Sequence, residues 1–172
     1  MKPKVTQTFA QQPSPAVDAF FRSRDEARRR AAKSSPRYPG DYTGLPKLVY
    51  GKTTGDLPSA GEVVWAHVPY EDDPIAGKDR PVLIIGRDGN WLLGLLLSST
   101  NHDLDANHEA TLNRFWVNIG PGPWDAKGRQ SFVRLDRIIR VDPKQVRRIG
   151  GHVSDLVFDT VADGLHRHGD GR

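Results

Sequence analysis

The chain has 172 residues, enough for one ordinary domain with a real core and too few for two unless both are minimal. It contains no cysteine, which excludes disulfides, thiolate metal ligation and a cysteine nucleophile, and suits a reducing cytoplasm. The formal charge of +4 is uneven: residues 1–60 carry 11 Lys/Arg against 5 Asp/Glu, whereas residues 61–172 carry 14 against 16. A basic front segment fits a polyanionic partner, because Lys and Arg release counterions from phosphates, and fits a solvated tail equally well. No stretch approaches the ~20 apolar residues of a membrane span and no signal-peptide core opens the chain, so a soluble cytoplasmic protein is expected.

The first sixty residues are rich in Pro, Ser, Gln and Arg and poor in apolar residues. Such a composition buries too little surface to offset the entropy of ordering, so residues 1–60 read as a largely disordered basic extension and linker. A short amphipathic helix is predicted over 15–33, where Ser14 caps, Pro15 suits the first turn, and Val17, Phe20, Phe21 and Ala27 share a side ahead of Arg28, Arg29 and Arg30. Tyr38 to Pro58 is punctuated by Gly and Pro and reads as a linker that clings to the domain through Tyr42 and Tyr50.

From Gly61 the texture changes. Glu62 to Val68 alternates and is rich in β-branched and aromatic residues, a strand pattern followed by a charged loop from Pro69 to Asp79. Pro81 to Gly86 is a continuous apolar run, typical of a strand buried on both faces; Asp88-Gly89-Asn90 is a hairpin turn and Trp91 to Leu97 the returning strand. Ser98 to Asn113 is a polar loop of unusual length. Strands are predicted over Phe115 to Ile119, Ser131 to Val141 and Val146 to Ile149, the last after a turn at Asp142-Pro143. Ser154 then caps a helix carrying Leu156, Val157, Val161 and Leu165, ending at Gly164 or in the tail beyond it. Five or six short strands without crossover helices exclude a parallel βαβ sheet. The expected fold is mainly β with α: a small, bent antiparallel barrel over 61–168, closed by the C-terminal helix.

Six histidines invite a metal, yet His102 and His108 lie six apart in a loop, His166 and His168 sit in the tail, and His67 and His152 are isolated. None of these spacings is a zinc motif, so no metal and no cofactor are expected. Gly120 to Gly122 contains proline and precedes no helix, which excludes a phosphate-cradling glycine loop. Ser98, His102 and Asp103 lack the nucleophile elbow of a serine hydrolase. Two features remain. Arg80 precedes one hairpin run and Ser98 ends the other, so pairing through Asp88 to Asn90 brings both to one end of the sheet. A planar guanidinium beside hydroxyls matches phosphate oxygens. The competing possibility is an arginine satisfied by Glu71, Asp72, Asp73 or Asp79 in the loop before it.

The run Gly61-Glu62-Val63-Val64-Trp65, a charged loop, Gly77-Lys78-Asp79-Arg80-Pro81-Val82-Leu83-Ile84-Ile85 and then Leu97-Ser98-Ser99 resembles the opening of MazF/PemK-type toxins of toxin–antitoxin systems. Val133 to Ile138 and the C-terminal helix occupy the places that family predicts, and the resemblance covers about residues 61–167. It implies an SH3-like barrel that dimerises and cleaves single-stranded RNA without a metal. Carried over by position, Arg80 matches the catalytic arginine and Ser98 the catalytic threonine, with Ser99 as a neighbour able to replace it. Serine keeps the hydroxyl and lacks the methyl that fixes the rotamer. The sixty-residue extension and the long loop after Ser98 depart from the family pattern.

The chemistry the resemblance implies is attack of the ribose 2′-OH on the adjacent phosphate, giving 2′,3′-cyclic phosphate and 5′-OH ends. Arg80 would stabilise phosphoryl charge and Ser98 would orient the reacting groups. His102 is a candidate proton carrier, although loop histidines are more often idle. RNA contacts are expected from Tyr70, Lys78, Thr100, Arg134 and Arg137, and base stacking from Trp65 and Trp116 unless these are core residues. The implied partners are single-stranded RNA, a second copy of the chain and a small antitoxin. Two rivals keep the barrel: a non-catalytic SH3-like module binding RNA or protein, and an enzyme whose basic extension acts as an antitoxin-like cover.

Overall fold

The apolar runs on either side of Asp88-Gly89-Asn90 form the centre of the sheet. In the computed structural model, which describes residues 37–51, 56–100, 114–148 and 151–168, β1 (Val63–Pro69) pairs with β2 (Gly77–Asp88), which pairs with β3 (Trp91–Ser98), all antiparallel. Gly89 turns the hairpin at φ 58°, a left-handed conformation that glycine adopts without strain. Val82 to Ile85 are all buried because both faces of β2 carry core, which is why the run is continuous rather than alternating.

The strand β2 begins at Gly77, ahead of its apolar run, with Pro81 inside it. Trp65, opposite Pro81, directs both its N–H and its C=O to Arg147. The Trp65–Pro81 pair is therefore a non-hydrogen-bonded one, and the N–H that Pro81 lacks would have faced β3, beyond the last ladder pair Val82–Leu96. The proline removes no ladder bond.

β3 is shared between two further partners. Leu92, Leu93 and Gly94 pair with β6 (Ile139–Val141), whereas Leu97 and Ser98 pair with β5 (Ser131–Arg134), which also pairs with β4 (Trp116–Gly120). The single strand expected over Ser131 to Val141 is thus two strands. Between them the Asp136 carboxylate turns back to accept hydrogen bonds from the Phe115 amide and the Arg134 guanidinium. The described part of the strand expected at Val146 to Ile149 is reduced to a bridge from Arg147 to Trp65, after a 3-10 turn over Pro143–Gln145.

The strand path β1-β2-β3-β5-β4, with β6 against β3, does not close. The expected closed barrel is corrected to an open antiparallel sheet. The free edge of β1 meets only isolated bridges, Trp65 to Arg147 and Glu62 to His152, because no second strand of sufficient length follows β6 among the described residues.

One face of the sheet carries Leu83, Ile85, Leu93, Leu95 and Val133 and is covered by α1 (Asp155–His168) through Phe158, Val161 and Leu165. Ser154 caps that helix as expected, its Oγ accepting from the Val157 amide at 3.2 Å. The apolar stripe is corrected at two positions: Phe158 is buried, while Leu156 is 74% exposed. The helix also runs through Gly164, where an added Cβ would lie 2.7 Å from Leu135 Cδ1. The opposite face holds a second core of Val64, Ala66, Val82, Ile84, Leu92, Leu96 and Ile139.

The chain divides into two compact units, Met1–Arg37 and Tyr38–Arg172. The helix expected over 15–33 lies outside the described residues. Residues 38–51 belong to the second unit and pack on it. Tyr42 bridges to Ile138, Asp41 accepts from Arg137 at 2.7 Å, and the Tyr50 hydroxyl donates to the Val153 carbonyl at 2.8 Å.

Candidate functional site

Strand alternation and register determine what meets at the end of the hairpin remote from Gly89. Along β2, Val82 and Ile84 point into the second core, so Arg80 lies on that same face; along β3, Leu92 and Leu96 do so, and Ser98 follows them. The ladder pairs Val82 with Leu96, and the same register carried two residues further sets Arg80 opposite Ser98. Cross-strand Cβ atoms in such a position are about 5 Å apart. Arg80 is also opposite Ala66 in β1, and Ser98 is opposite Phe132 in β5. One row across the sheet therefore reads Ala66, Arg80, Ser98, Phe132 and Asn118. Arg80 and Ser98 are both half-buried at the rim of the second core.

Three of the four acidic residues that could have neutralised Arg80 have other partners. Asp79, the residue before it in the strand, faces the other side and pairs with Arg147 at 3.2 Å, with His67 at 3.8 Å. Glu71 pairs with Arg134. The Asp73 carboxylate accepts the amide of Ile75 within its own turn. Among the described residues the Arg80 guanidinium forms no ion pair and no hydrogen bond.

The Ser98 oxygen accepts the Thr100 amide at 3.1 Å. This hydrogen bond restrains the side chain from one side, a restraint that a β-branched residue would obtain from its own methyl. Ser99 and Thr100 are exposed just beyond, with Ser99 on the opposite side by alternation. Lys78 is exposed on the face of Arg80, two residues before it. Tyr70 is exposed in the β1–β2 loop. His102 lies outside the described residues.

Arg134 and Arg137, expected along an RNA backbone, are each paired with carboxylates of the chain. The Arg134 side chain is only 7% exposed; its Nε and Nη2 donate to the two oxygens of Asp136 at 2.9 and 2.7 Å, and its Nη1 donates to Glu71 Oε1 at 2.5 Å. Burial works against its charge, yet the hydrogen bonds to Asp136 and Glu71 outweigh it and raise its pKa. The bond from Arg134 likewise holds the Glu71 carboxyl below its ordinary value. Arg137, with a 4% exposed side chain, donates to both oxygens of Asp41. Only Asp136 is near its arginine in the chain; Glu71 comes from a distant loop and Asp41 from a segment 96 residues away.

The two tryptophans are also occupied. Trp116 packs against the second core. Trp65 is half-buried on the outer side, with the Arg147 guanidinium 5.9 Å from its ring centre. Sequence reasoning passed over Glu71 and Asp136 as site residues; the break in strand alternation at Leu135-Asp136 was the available signal for the second.

Among the described residues no group of three or more His, Asp or Glu side chains is disposed to hold a metal ion, and no helix is long and apolar enough to cross a membrane. What the site offers is a half-buried arginine and a hydroxyl on one face toward the same end of the hairpin, with Lys78 exposed on that face and Tyr70 exposed in the β1–β2 loop, an arrangement suited to an anionic ligand. No curated protein matches the chain. The model of the PemK-like, MazF-like toxins of type II toxin–antitoxin systems matches residues 59–168, a span that includes both Arg80 and Ser98, and the chain belongs to that family.

Proposed function

We propose that this toxin-family protein is a metal-independent endoribonuclease acting on single-stranded RNA, with Arg80 and Ser98 as its catalytic residues. RNA carries its own nucleophile. The 2′-oxygen forms a bond to phosphorus as the P–O5′ bond breaks, the 2′ proton is lost, and the departing 5′-oxygen gains one, leaving 2′,3′-cyclic phosphate and 5′-OH ends. The protein's task is to align these groups and stabilise the extra charge on the phosphoryl oxygens. Arg80 does the second, since a guanidinium is cationic and donates in a fork that fits two oxygens. Ser98 donates to a phosphoryl oxygen or to the 2′ position, its oxygen braced by the Thr100 amide. Lys78, Tyr70 and Thr100 supply contacts to neighbouring nucleotides.

The observation that supports this reading is the Arg80 guanidinium, which has no hydrogen bond or ion pair among the described residues, on the same face of the sheet as Ser98. A structural arginine at that rim would be expected to take one of the adjacent carboxylates, and Asp79 pairs elsewhere. On this reading the working assembly is a homodimer in the cytoplasm, and membership of a toxin–antitoxin family supports an antitoxin partner. The test is incubation of a single-stranded RNA with wild type and Arg80→Ala in EDTA, followed by analysis of the new ends. Cleavage by wild type alone, with cyclic phosphate and 5′-OH ends, is the expected result. RNA binding without cutting by both proteins would instead identify a binding module.

A further inference from the structure

Glu71 stands in an unusual relation to the site. It lies in the loop between β1 and β2, whose remaining bonds are internal: the Tyr70 amide to the Ala76 carbonyl, the Ala76 amide to the Asp73 carbonyl, and the Ile75 amide to the Asp73 side chain. Among the described residues, its bond to Arg134 is the one side-chain hydrogen bond joining residues 70–76 to another element. The loop is otherwise exposed, with Ile75 and Tyr70 facing solvent.

Arg134 is positioned to take a second anion. Ser98 pairs with Phe132, and Arg134 follows two residues along β5, so it lies diagonally from Ser98 on the same face, one strand over. That diagonal is about 7–8 Å between Cα atoms, comparable to the spacing of successive phosphates along a nucleic-acid strand. Asp136 occupies the Nε–Nη2 edge of the guanidinium and is 5% exposed, whereas Glu71, on the remaining Nη1, is 40% exposed. One carboxylate is fixed and the other is accessible to competition. Arg114 and Arg137 are the other cations near enough to act on Glu71, so the position favours an anion whatever its source.

Resting on the nuclease reading, we propose that Glu71 is a displaceable lock: in the free protein its carboxylate holds the β1–β2 loop across the face by occupying the open edge of Arg134, and a phosphate of bound RNA takes over that edge and releases the loop. Arg134 then contacts the nucleotide next to the one held by Arg80. It does so only after exchange of one anion for another, which accounts for its burial in the unliganded chain. Glu71 is a positioning residue in this scheme, since it never touches the reacting atoms.

The test uses the full chain, an RNA made non-cleavable by 2′-O-methylation, and two variants: Arg80→Ala, and Glu71→Gln, which keeps the side-chain shape and removes the competing charge. Glu71→Gln is expected to bind this RNA about fivefold more tightly than wild type at low salt, with a salt slope steeper by about one, because no carboxylate is freed to recapture a cation. Hydrogen exchange supplies a reading apart from affinity: the amides of 70–76 exchange faster in wild type once RNA is added, and are already fast in Glu71→Gln without it. Arg80-dependent RNA binding with unchanged affinity and slope in Glu71→Gln would overturn the lock alone. Absence of RNA binding by wild type and by both variants would overturn the nuclease reading together with the lock. Slower exchange of 70–76 on RNA addition would also overturn the lock, since the loop would then be closing rather than released.

Discussion

Asp79 and Arg80 are neighbours in β2 that serve opposite faces of the sheet: the carboxylate is paired with Arg147 on the outside, and the guanidinium faces the row of Ser98. A period of two separates the charges although they are adjacent in sequence. An exposed ion pair such as Asp79–Arg147 contributes little to stability by itself. Its consequence is local, because it keeps the nearest carboxylate off the arginine that a phosphate needs.

From this separation follows the effect of Arg80→Ala. Removal of a preorganised charge that acts in the transition state costs about 10²–10³-fold in rate. The same change removes no ion pair among the described residues, so its effect on stability should stay within about 0.5 kcal/mol. RNA cleavage and thermal melting on one preparation test both halves. A large fall in melting temperature would mean that Arg80 has a structural partner after all.

Ser98 gives a graded series. Ser98→Ala removes the hydroxyl and is expected to lower cleavage about 10²-fold. Ser98→Thr supplies the methyl and should be as active as wild type or more so, since the rotamer is then restricted from two sides. Thr100→Pro deletes the amide that the Ser98 oxygen accepts from, and should fall between the two in the serine background while leaving Ser98→Thr less affected. Equal losses in both backgrounds would show that the amide does not orient the hydroxyl.

The hairpin that sets this site was legible in the sequence because its signals are local. An apolar run, a turn containing Gly89 and a returning run fix the register, and that register, extended two residues past Val82–Leu96, carries Arg80 and Ser98 toward the same end of the hairpin. The identity of the carboxylate beside each arginine was not legible, since Asp41 and Arg137 are joined by tertiary packing rather than by spacing. The helix shows a subtler loss. Phe158, Val161 and Leu165 recur at helical spacing, and so do Val157, Val161 and Leu165; only the docking surface selects between the two stripes. Closure of the sheet was likewise beyond pattern reading, because it depends on whether residues after β6 run long enough beside β1, and among the described residues 142–148 they make a single bridge at Arg147.

Two carboxyl groups predict how stability responds to acid. Burial works against the charge on Glu62, but hydrogen bonds from Arg148 and the Ser59 amide outweigh it, so the carboxyl sits below its ordinary 4.5; Glu71 is lowered by the bond from Arg134. A group depressed in the folded state contributes stability that is complete above the unfolded value and is lost as pH falls through the folded one. The melting temperature should therefore be level above about pH 5.5, fall as the medium passes below 4.5, and continue to fall beyond it. Combined Glu62→Gln and Glu71→Gln substitution should flatten part of that decline. A main loss between about pH 6 and 7 would implicate histidine instead.

Where the working domain begins can be tested by truncation. A chain beginning at Tyr38 retains Asp41 on Arg137, Tyr42 against Ile138, the Gly40 and Asp41 carbonyls that accept from Arg140, and the Tyr50 hydroxyl on Val153. A chain beginning at Lys52 loses all of them and leaves the Arg137 side chain, otherwise 4% exposed, without its carboxylate. An orphaned buried cation costs about 3 kcal/mol, which for a domain of this size is about 10 °C in melting temperature. The shorter chain should therefore melt about 10 °C below the longer one, and Asp41→Ala in the full chain should reproduce a large part of the difference. Equal melting of the two truncated chains would show that residues 38–51 ride on the sheet without stabilising it.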